Sequence, residues 1–135
     1  MQNHKIYIFD SSALLSFIRD EDGAERVLQL LELAEKRKVR IIMPLIQYGE
    51  VVYIANIRGN HASFSQTVAL LETLPIEYPQ IDKSSVIVAS QYKLRGGLAY
   101  PECFLIAIAL QYQGVIVTKD SEFKKFEKEL SVEWL

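Results

Sequence analysis

The sequence contains a single cysteine, Cys103, among its 135 residues. One thiol excludes an internal disulfide framework and fits a reducing compartment. Long apolar runs are also missing: the longest, from Cys103 to Leu110, is well short of the roughly twenty residues that cross a bilayer. The apolar stretch before Asp10 is too short for a signal peptide. We therefore expect a cytoplasmic protein with no membrane partner.

Strong positive charge is lacking as well. Lysine and arginine total 15 against 17 acidic residues, which gives a formal net charge of -2. This balance argues against a broadly basic surface that binds nucleic acid by counterion release, so such contacts would need metal ions or small basic clusters. The absence of HExxH, paired CxxC, GxxxxGK(S/T) and GxGxxG motifs leaves zinc proteases, zinc ribbons, nucleotide-driven motors and dinucleotide enzymes without support.

The composition that is present is typical of a folded domain. Half of the residues are hydrophobic and 24% are charged. Residues 1–135 are few enough for a single domain and numerous enough to bury a core. Segments with strand character alternate with helical patterns, without a repeat or a linker. We therefore predict a three-layer α/β/α sandwich with a mostly parallel central sheet.

Short β-branched or apolar runs predict the strands, and apolar residues at helical spacing predict the helices. The predicted strands span residues 5–9, 39–43, 75–79, 115–117 and 131–135. The predicted helices span residues 13–18, 24–37, 44–57, 62–74, 84–94, 98–110 and 121–129. Arg58-Gly59-Asn60 is expected to end the third helix, and the lone His61 is expected to be structural or exposed.

Two aspartates follow predicted central strands. Asp10 ends the first strand, and Asp120 follows the strand at 115–117. In an open α/β sheet, ligands bind in the crevice beyond the carboxyl ends of the strands, so both side chains would lie where chemistry is usually found. The alternative for Asp10 is that it only caps the helix that follows.

Two glutamates stand alone near the beginnings of apolar helices. Glu50 lies in a stretch poor in charge, and Glu102 lies in the first turn after Pro101. Burying an acid is costly unless something pairs with it. The alternatives are an exposed Glu50 and a Glu102 that stabilises a helix N-terminus. For Asp82, capping of the following helix is preferred to a chemical role.

Carboxylates packed together at neutral pH repel one another, and burial increases the cost. Hard divalent cations such as Mg²⁺ or Mn²⁺ remove this cost, because they take oxygen ligands and bridge carboxylates to phosphate oxygens. If Asp10, Glu50, Glu102 and Asp120 meet at one sheet edge, the sequence predicts a nuclease-like metal site. One cation held by Asp10 and Asp120 would then activate a water for attack on a phosphodiester.

Four segments together resemble the PIN-domain ribonucleases: residues 6–15, 44–52, 98–109 and 115–123, each carrying one of these acids. In its length the chain is most similar to the VapC-type toxins of toxin–antitoxin pairs. The resemblance implies an endoribonuclease that cleaves single-stranded or structured RNA and holds one or two Mg²⁺ or Mn²⁺ ions. It also implies a homodimer that is blocked by a cognate antitoxin.

The resemblance implies that the four acids are the catalytic metal ligands. It also assigns roles to residues near them. Ser11 and Thr118 match the hydroxyl residues beside the first and last acids, and Glu122 adds an outer contact. Lys119 has two alternative roles: it lies beside the scissile phosphate, or it is an ordinary surface lysine in contact with solvent.

One position departs from the family pattern. The third acid is usually aspartate, whereas this chain has Glu102, whose carboxylate lies about one bond length further out, and Mg²⁺ requires near-ideal octahedral geometry. The alternative function is therefore a catalytically weak or inactive PIN-like module that binds or assembles. A phosphate-receiving signalling domain would need paired acids near the N-terminus, where Asp10 stands alone.

Overall fold

Strands and helices alternate along the chain. The computed structural model describes residues 4–57, 59 and 61–135, with the side chains of residues 61 and 62 left aside. The strands are β1 (Lys5–Phe9), β2 (Val39–Ile42), β3 (Val115–Thr118) and β4 (Ser131–Trp134). The helices are α1 (Ser11–Ile18), α2 (Ala24–Glu35), α3 (Leu45–Ala55), α4 (His61–Glu72), α5 (Lys83–Arg95) and α6 (Tyr100–Tyr112), with a 3₁₀ helix at Ser121–Phe126.

The strands form one sheet in the order β2-β1-β3-β4, and every pair of neighbours is parallel. Ile8 in β1 pairs with Ile42 on one side and Ile116 on the other. All three side chains are almost fully buried, as expected for parallel strands covered on both faces. The predicted parallel sheet, with the first strand and the strand at 115–117 in its middle, is confirmed.

The pleat of the sheet creates two hydrophobic cores, because successive side chains point to opposite faces. Phe9 and Val117 pack in one core with apolar residues of α1 to α4. Ile8 and Ile116 pack in the other core with α5, α6 and the 3₁₀ helix. Helices therefore cover both faces of the sheet, which confirms the predicted three-layer arrangement.

The helix α6 is buried along most of its length. Its residues from Cys103 to Ala109 are all buried, and the free thiol of Cys103 is fully buried in the core. Such a helix is apolar on every side because it packs between the sheet and another helix. Within the part of the chain that the structure describes, neither α6 nor any other helix is long and apolar enough to cross a membrane.

Two predicted elements need correction. Residues 75–79 do not form a strand: Glu77 makes a single parallel bridge to Ile42, with its N–H donating to the Ile41 carbonyl at 2.9 Å. Pro75 and Pro79 have no N–H to donate, so pairing cannot extend on either side. The helix predicted at 121–129 is a 3₁₀ helix that ends at residue 126.

The turn predicted to end α3 falls partly outside the residues that can be described. Two of its three residues, Arg58 and Asn60, lie outside them, as does the side chain of His61. The expectations for these positions stay predictions.

We predict that Leu105→Ala lowers the free energy of unfolding by about 2–5 kcal/mol, because it leaves a cavity in the core around α6. Leu105 is fully buried, whereas Leu94 at the end of α5 is 89% exposed. The matched variant Leu94→Ala should change stability by less than about 0.5 kcal/mol. Urea denaturation followed by circular dichroism measures both, and equal losses would contradict the assignment of α6 to the core.

Candidate active site

Asp10 lies between the ends of the two central strands and is only 3% exposed. Its Oδ1 accepts hydrogen bonds from the Ala13 N–H at 2.9 Å and from the Ser12 hydroxyl at 2.7 Å. Its Oδ2 accepts a hydrogen bond from the Thr118 hydroxyl at the end of β3. Asp10 therefore caps α1, as one of the two hypotheses held, and also joins the ends of β1 and β3.

The two hydroxyl groups that bind Asp10 also hold the segment after β3. Thr118 Oγ1 accepts from the Asp120 N–H at 2.8 Å, and Ser12 Oγ accepts from the Lys119 N–H at 2.9 Å. Asp120 in turn caps the 3₁₀ helix by accepting from the Glu122 N–H at 2.9 Å. One hydrogen-bonded network thus positions both aspartates.

Of the two serines after Asp10, it is Ser12 whose hydroxyl binds the carboxylate, whereas the resemblance pointed to Ser11. Ser11 instead gives its N–H to Gln47 Oε1 at 2.7 Å and interacts with the side chain of Glu50. Both serines therefore belong to the site, with different partners. The sequence could not separate them, because the choice depends on how α1 starts.

The two glutamates each place one oxygen in a buried position without a partner. Glu50 lies in α3 and Glu102 in the first turn of α6. Among the described residues, neither Glu50 Oε1 nor Glu102 Oε2 has a hydrogen-bond partner. Buried polar atoms are rarely left unpaired in this way, so both oxygens are available to accept from a ligand or from its waters.

The carboxylates influence one another electrostatically. Burial raises the pKa of Asp10 above its usual range, and the charge of Asp120 adds to this, against the hydrogen bonds from Thr118, Ser12 and Ala13. Burial, followed by the charge of Asp10, raises the pKa of Glu50.

The pKa of Glu102 is raised for the same reasons. Burial, together with the charges of Glu50, Asp120 and Glu122, raises its pKa to about 7. Mutual repulsion of this kind requires proximity, so the structure brings the predicted acids into one region. Their assignment as metal ligands stays a prediction.

A cation held in this region would have to keep part of its water shell. Across residues 4–57, 59 and 61–135, no three acidic, histidine or cysteine side chains converge closely enough to hold one ion by themselves. Mg²⁺ usually binds through one or two carboxylates and retains several waters. The unpaired oxygens of Glu50 and Glu102 are suited to such a site, since they can accept from those waters or bind directly.

The start of α6, which carries Glu102, is fixed by a glycine turn. Gly96 and Gly97 have φ angles of +79° and +94°, which favour glycine. The Lys125 ammonium group donates to the carbonyl oxygens of Arg95 and Gly96 at 3.0 and 2.8 Å. The 3₁₀ helix that begins after Asp120 thereby supports the turn that leads into α6.

Lys119 and Glu122, the two outer residues in the prediction, are both exposed. Lys119 follows β3 directly, and the charge of Glu122 contributes to the raised pKa of Glu102. Their positions beside the acids are compatible with contacts to a substrate or to the waters of an ion, and their roles stay predictions.

Asp82 provides an internal comparison for Asp10. Its Oδ1 accepts from the Ser85 N–H at 2.9 Å and from the Ser84 hydroxyl at 2.8 Å, so it caps α5 as predicted. The local hydrogen bonds are the same as those of Asp10, but Asp82 is exposed. What distinguishes Asp10 is its burial and its contact with β3.

A family model described as the PIN domain matches residues 7–129. The chain belongs to the PIN domain family. This confirms the resemblance, and the parallel sheet with helices on both faces is the expected fold. No curated protein sequence matches the chain.

Several solved structures share this PIN fold. VapBC-1 from nontypeable Haemophilus influenzae has a TM-score of 0.69 and 20% sequence identity, over 96% of this chain and 97% of the other. VapBC2 from Rickettsia felis, bound to a promoter DNA fragment, has a TM-score of 0.72 and 14% sequence identity, over 95% of this chain and 97% of the other. FitAcB from Neisseria gonorrhoeae has a TM-score of 0.68 and 16% sequence identity, over 93% of this chain and 95% of the other. At these identities the similarity establishes the fold alone.

We predict that the metal-free protein loses stability as the pH rises from about 4.5 to about 7. The folded state favours the proton on Glu102, because the pKa of this side chain is raised from 4.5 to about 7. Protonated Glu102 therefore contributes fully to the free energy of unfolding below pH 4.5, and this contribution is lost as the pH rises through about 7. Solvent screening of this partly exposed carboxylate limits the loss to about 1–2 kcal/mol.

Urea titrations of wild type and Glu102→Gln across this range measure the effect, and the variant should show a smaller decline. Glu77→Gln is the control. Arg40 lowers the pKa of Glu77, so the contribution of Glu77 to the free energy of unfolding is lost at acidic pH instead. Identical slopes in wild type and Glu102→Gln would contradict the raised pKa of Glu102.

Proposed function

We propose that this PIN-domain protein is a Mg²⁺- or Mn²⁺-dependent endoribonuclease and the toxin of a toxin–antitoxin pair. The observation that carries the proposal is the group of interacting carboxylates at the carboxyl edge of the parallel sheet, where two buried glutamate oxygens have no partner among the residues that the structure describes. Membership of the PIN family supports the class of reaction.

In this proposal, Asp10 and Asp120 hold the cation, because one hydrogen-bonded network fixes them at the ends of β1 and β3. A bound divalent ion would lower the pKa of a water and offset the negative charge of the phosphate. Glu50 and Glu102 would complete the site through their unpaired oxygens. Lys119, exposed beside Asp120, would bind a phosphate of the RNA.

The second candidate function is a PIN-like module that binds or assembles without turnover. It is favoured by the longer side chain of Glu102 and by the lack, among the described residues, of three ligands that converge on one point. The two functions differ in turnover, so an RNA cleavage assay separates them.

A protein partner follows from the same proposal. Two of the similar solved structures are VapBC complexes, which supports a cognate antitoxin for this chain. The helix α3 exposes the apolar side chains of Leu45 and Tyr53, the latter at 68%, and Ile57 just after the helix is 59% exposed. A contiguous patch of exposed apolar groups is typical of a protein-binding surface, and in this proposal these side chains would serve a homodimer or an antitoxin. The single buried cysteine fits a place in the cytoplasm.

We predict that Asp10→Asn lowers Mn²⁺-dependent cleavage of single-stranded RNA by about 100-fold or more, since loss of a ligand should exceed the loss of one of its supporting contacts. Asp82→Asn is the matched control, because both aspartates cap a helix through the same local hydrogen bonds. Cleavage is measured by gel electrophoresis of a labelled RNA, with EDTA added to parallel samples.

The control should cleave at the wild-type rate, and EDTA should abolish cleavage in every sample. If Asp10→Asn and wild type cleave equally, Asp10 has only a capping role and the nuclease proposal fails. If no sample cleaves RNA under any metal condition, the module without turnover becomes the better description.

A further inference from the structure

Gln47 in α3 is a fully buried polar residue that none of the proposed roles uses. Both ends of its carboxamide are bound by other segments of the chain. Its Oε1 accepts from the Ser11 N–H at 2.7 Å, and its Nε2 donates to the Pro101 carbonyl at 3.3 Å. One side chain therefore contacts the start of α1 and the start of α6.

These contacts place Gln47 among the elements that carry three of the acids. Ser11 follows Asp10 directly, Pro101 precedes Glu102 directly, and Glu50 lies three residues after Gln47, on the same side of α3. A buried amide is costly unless its hydrogen bonds are satisfied. A leucine of similar size would pack in the same space without that cost, so core packing alone does not explain an amide here.

The Ser11 N–H also needs a partner from outside its own helix. It belongs to the first turn of α1, where backbone N–H groups have no intrahelical acceptor. The side chain of Asp10 already accepts from the Ala13 N–H, and Gln47 accepts from Ser11. Gln47 thus completes the cap of the helix whose first residue follows Asp10.

We propose that Gln47 is a positioning residue that sets the spacing of the carboxylates of Asp10, Glu50 and Glu102 and thereby the affinity for a divalent cation. The inference rests on the proposed metal-dependent function, and it assigns no contact with the RNA to Gln47. It explains how acids from three separate segments are held together by one rigid amide.

The test compares Mn²⁺ binding by wild type and Gln47→Leu, using isothermal titration calorimetry on metal-free protein. Removal of a supporting hydrogen-bond partner typically weakens metal affinity by about 10–100-fold, and this range is expected for Gln47→Leu. Circular dichroism checks that the variant is folded. If it does not fold, Gln47→Asn takes its place, because the amide is kept but is too short to reach both partners.

Ser85→Ala is the control for loss of a buried polar contact. Ser85 is 4% exposed, and its hydroxyl donates to Gln111 at the end of α6 opposite to Glu102. This variant should lose some stability but bind Mn²⁺ as wild type does. RNA cleavage by Gln47→Leu should recover as the Mn²⁺ concentration is raised, whereas a general loss of stability would not be corrected in this way.

The outcomes separate this inference from the proposed function. If Gln47→Leu binds Mn²⁺ with the wild-type affinity, the positioning role is wrong while the metal-dependent function stands. Equal weakening in Gln47→Leu and Ser85→Ala also overturns the positioning role, since any buried polar loss would then suffice. If wild type binds no Mn²⁺, the metal site fails and the inference fails with it.

Discussion

The burial of one carboxylate, that of Asp10, is the constraint on which the rest of the site depends. A buried acid needs compensation, and Asp10 obtains it from three donors in Ser12, Ala13 and Thr118. These donors come from α1 and β3, so Asp10 can be satisfied only if the two segments meet in one register. The parallel pairing of β1 and β3 provides that register.

Three of the acids, Asp10 included, are placed at a cost to the folded chain. Burial and mutual repulsion raise the pKa values of Asp10, Glu50 and Glu102, so each of these acids makes folding less favourable once it is charged. Structures often keep such strained arrangements where a ligand is bound, and the rest of the fold compensates for them. Burial of apolar side chains in the two cores on either side of the sheet is the kind of stabilisation that offsets such a cost.

Most of the fold could be predicted from the sequence because its signals are local. The apolar runs of β1 and β3 and the uninterrupted apolar pattern of α6 determine their own structures, and the parallel connection follows from the alternation of elements. Residues 75–79 were misjudged because strand character does not show whether a partner is available between two prolines.

Within the site, Asp10 and Asp120 could be anticipated from their positions after strands. Gln47 was missed, although it is an isolated polar residue in the same apolar stretch that drew attention to Glu50. Its partners come from distant segments, 36 and 54 residues away, and no local pattern records them. The choice between Ser11 and Ser12 likewise depended on three-dimensional geometry.

The hydrogen bonds around Asp10 also have a fixed direction. Each hydroxyl has one hydrogen, and those of Thr118 and Ser12 are both given to Asp10, which leaves their lone pairs for the N–H groups of Asp120 and Lys119. A proton on Asp10 Oδ2 would take up one of the lone pairs that now accept from Thr118 and would weaken that hydrogen bond, while Thr118 in turn accepts from the Asp120 N–H. The ionisation of Asp10 and the conformation of the chain after β3 are therefore coupled.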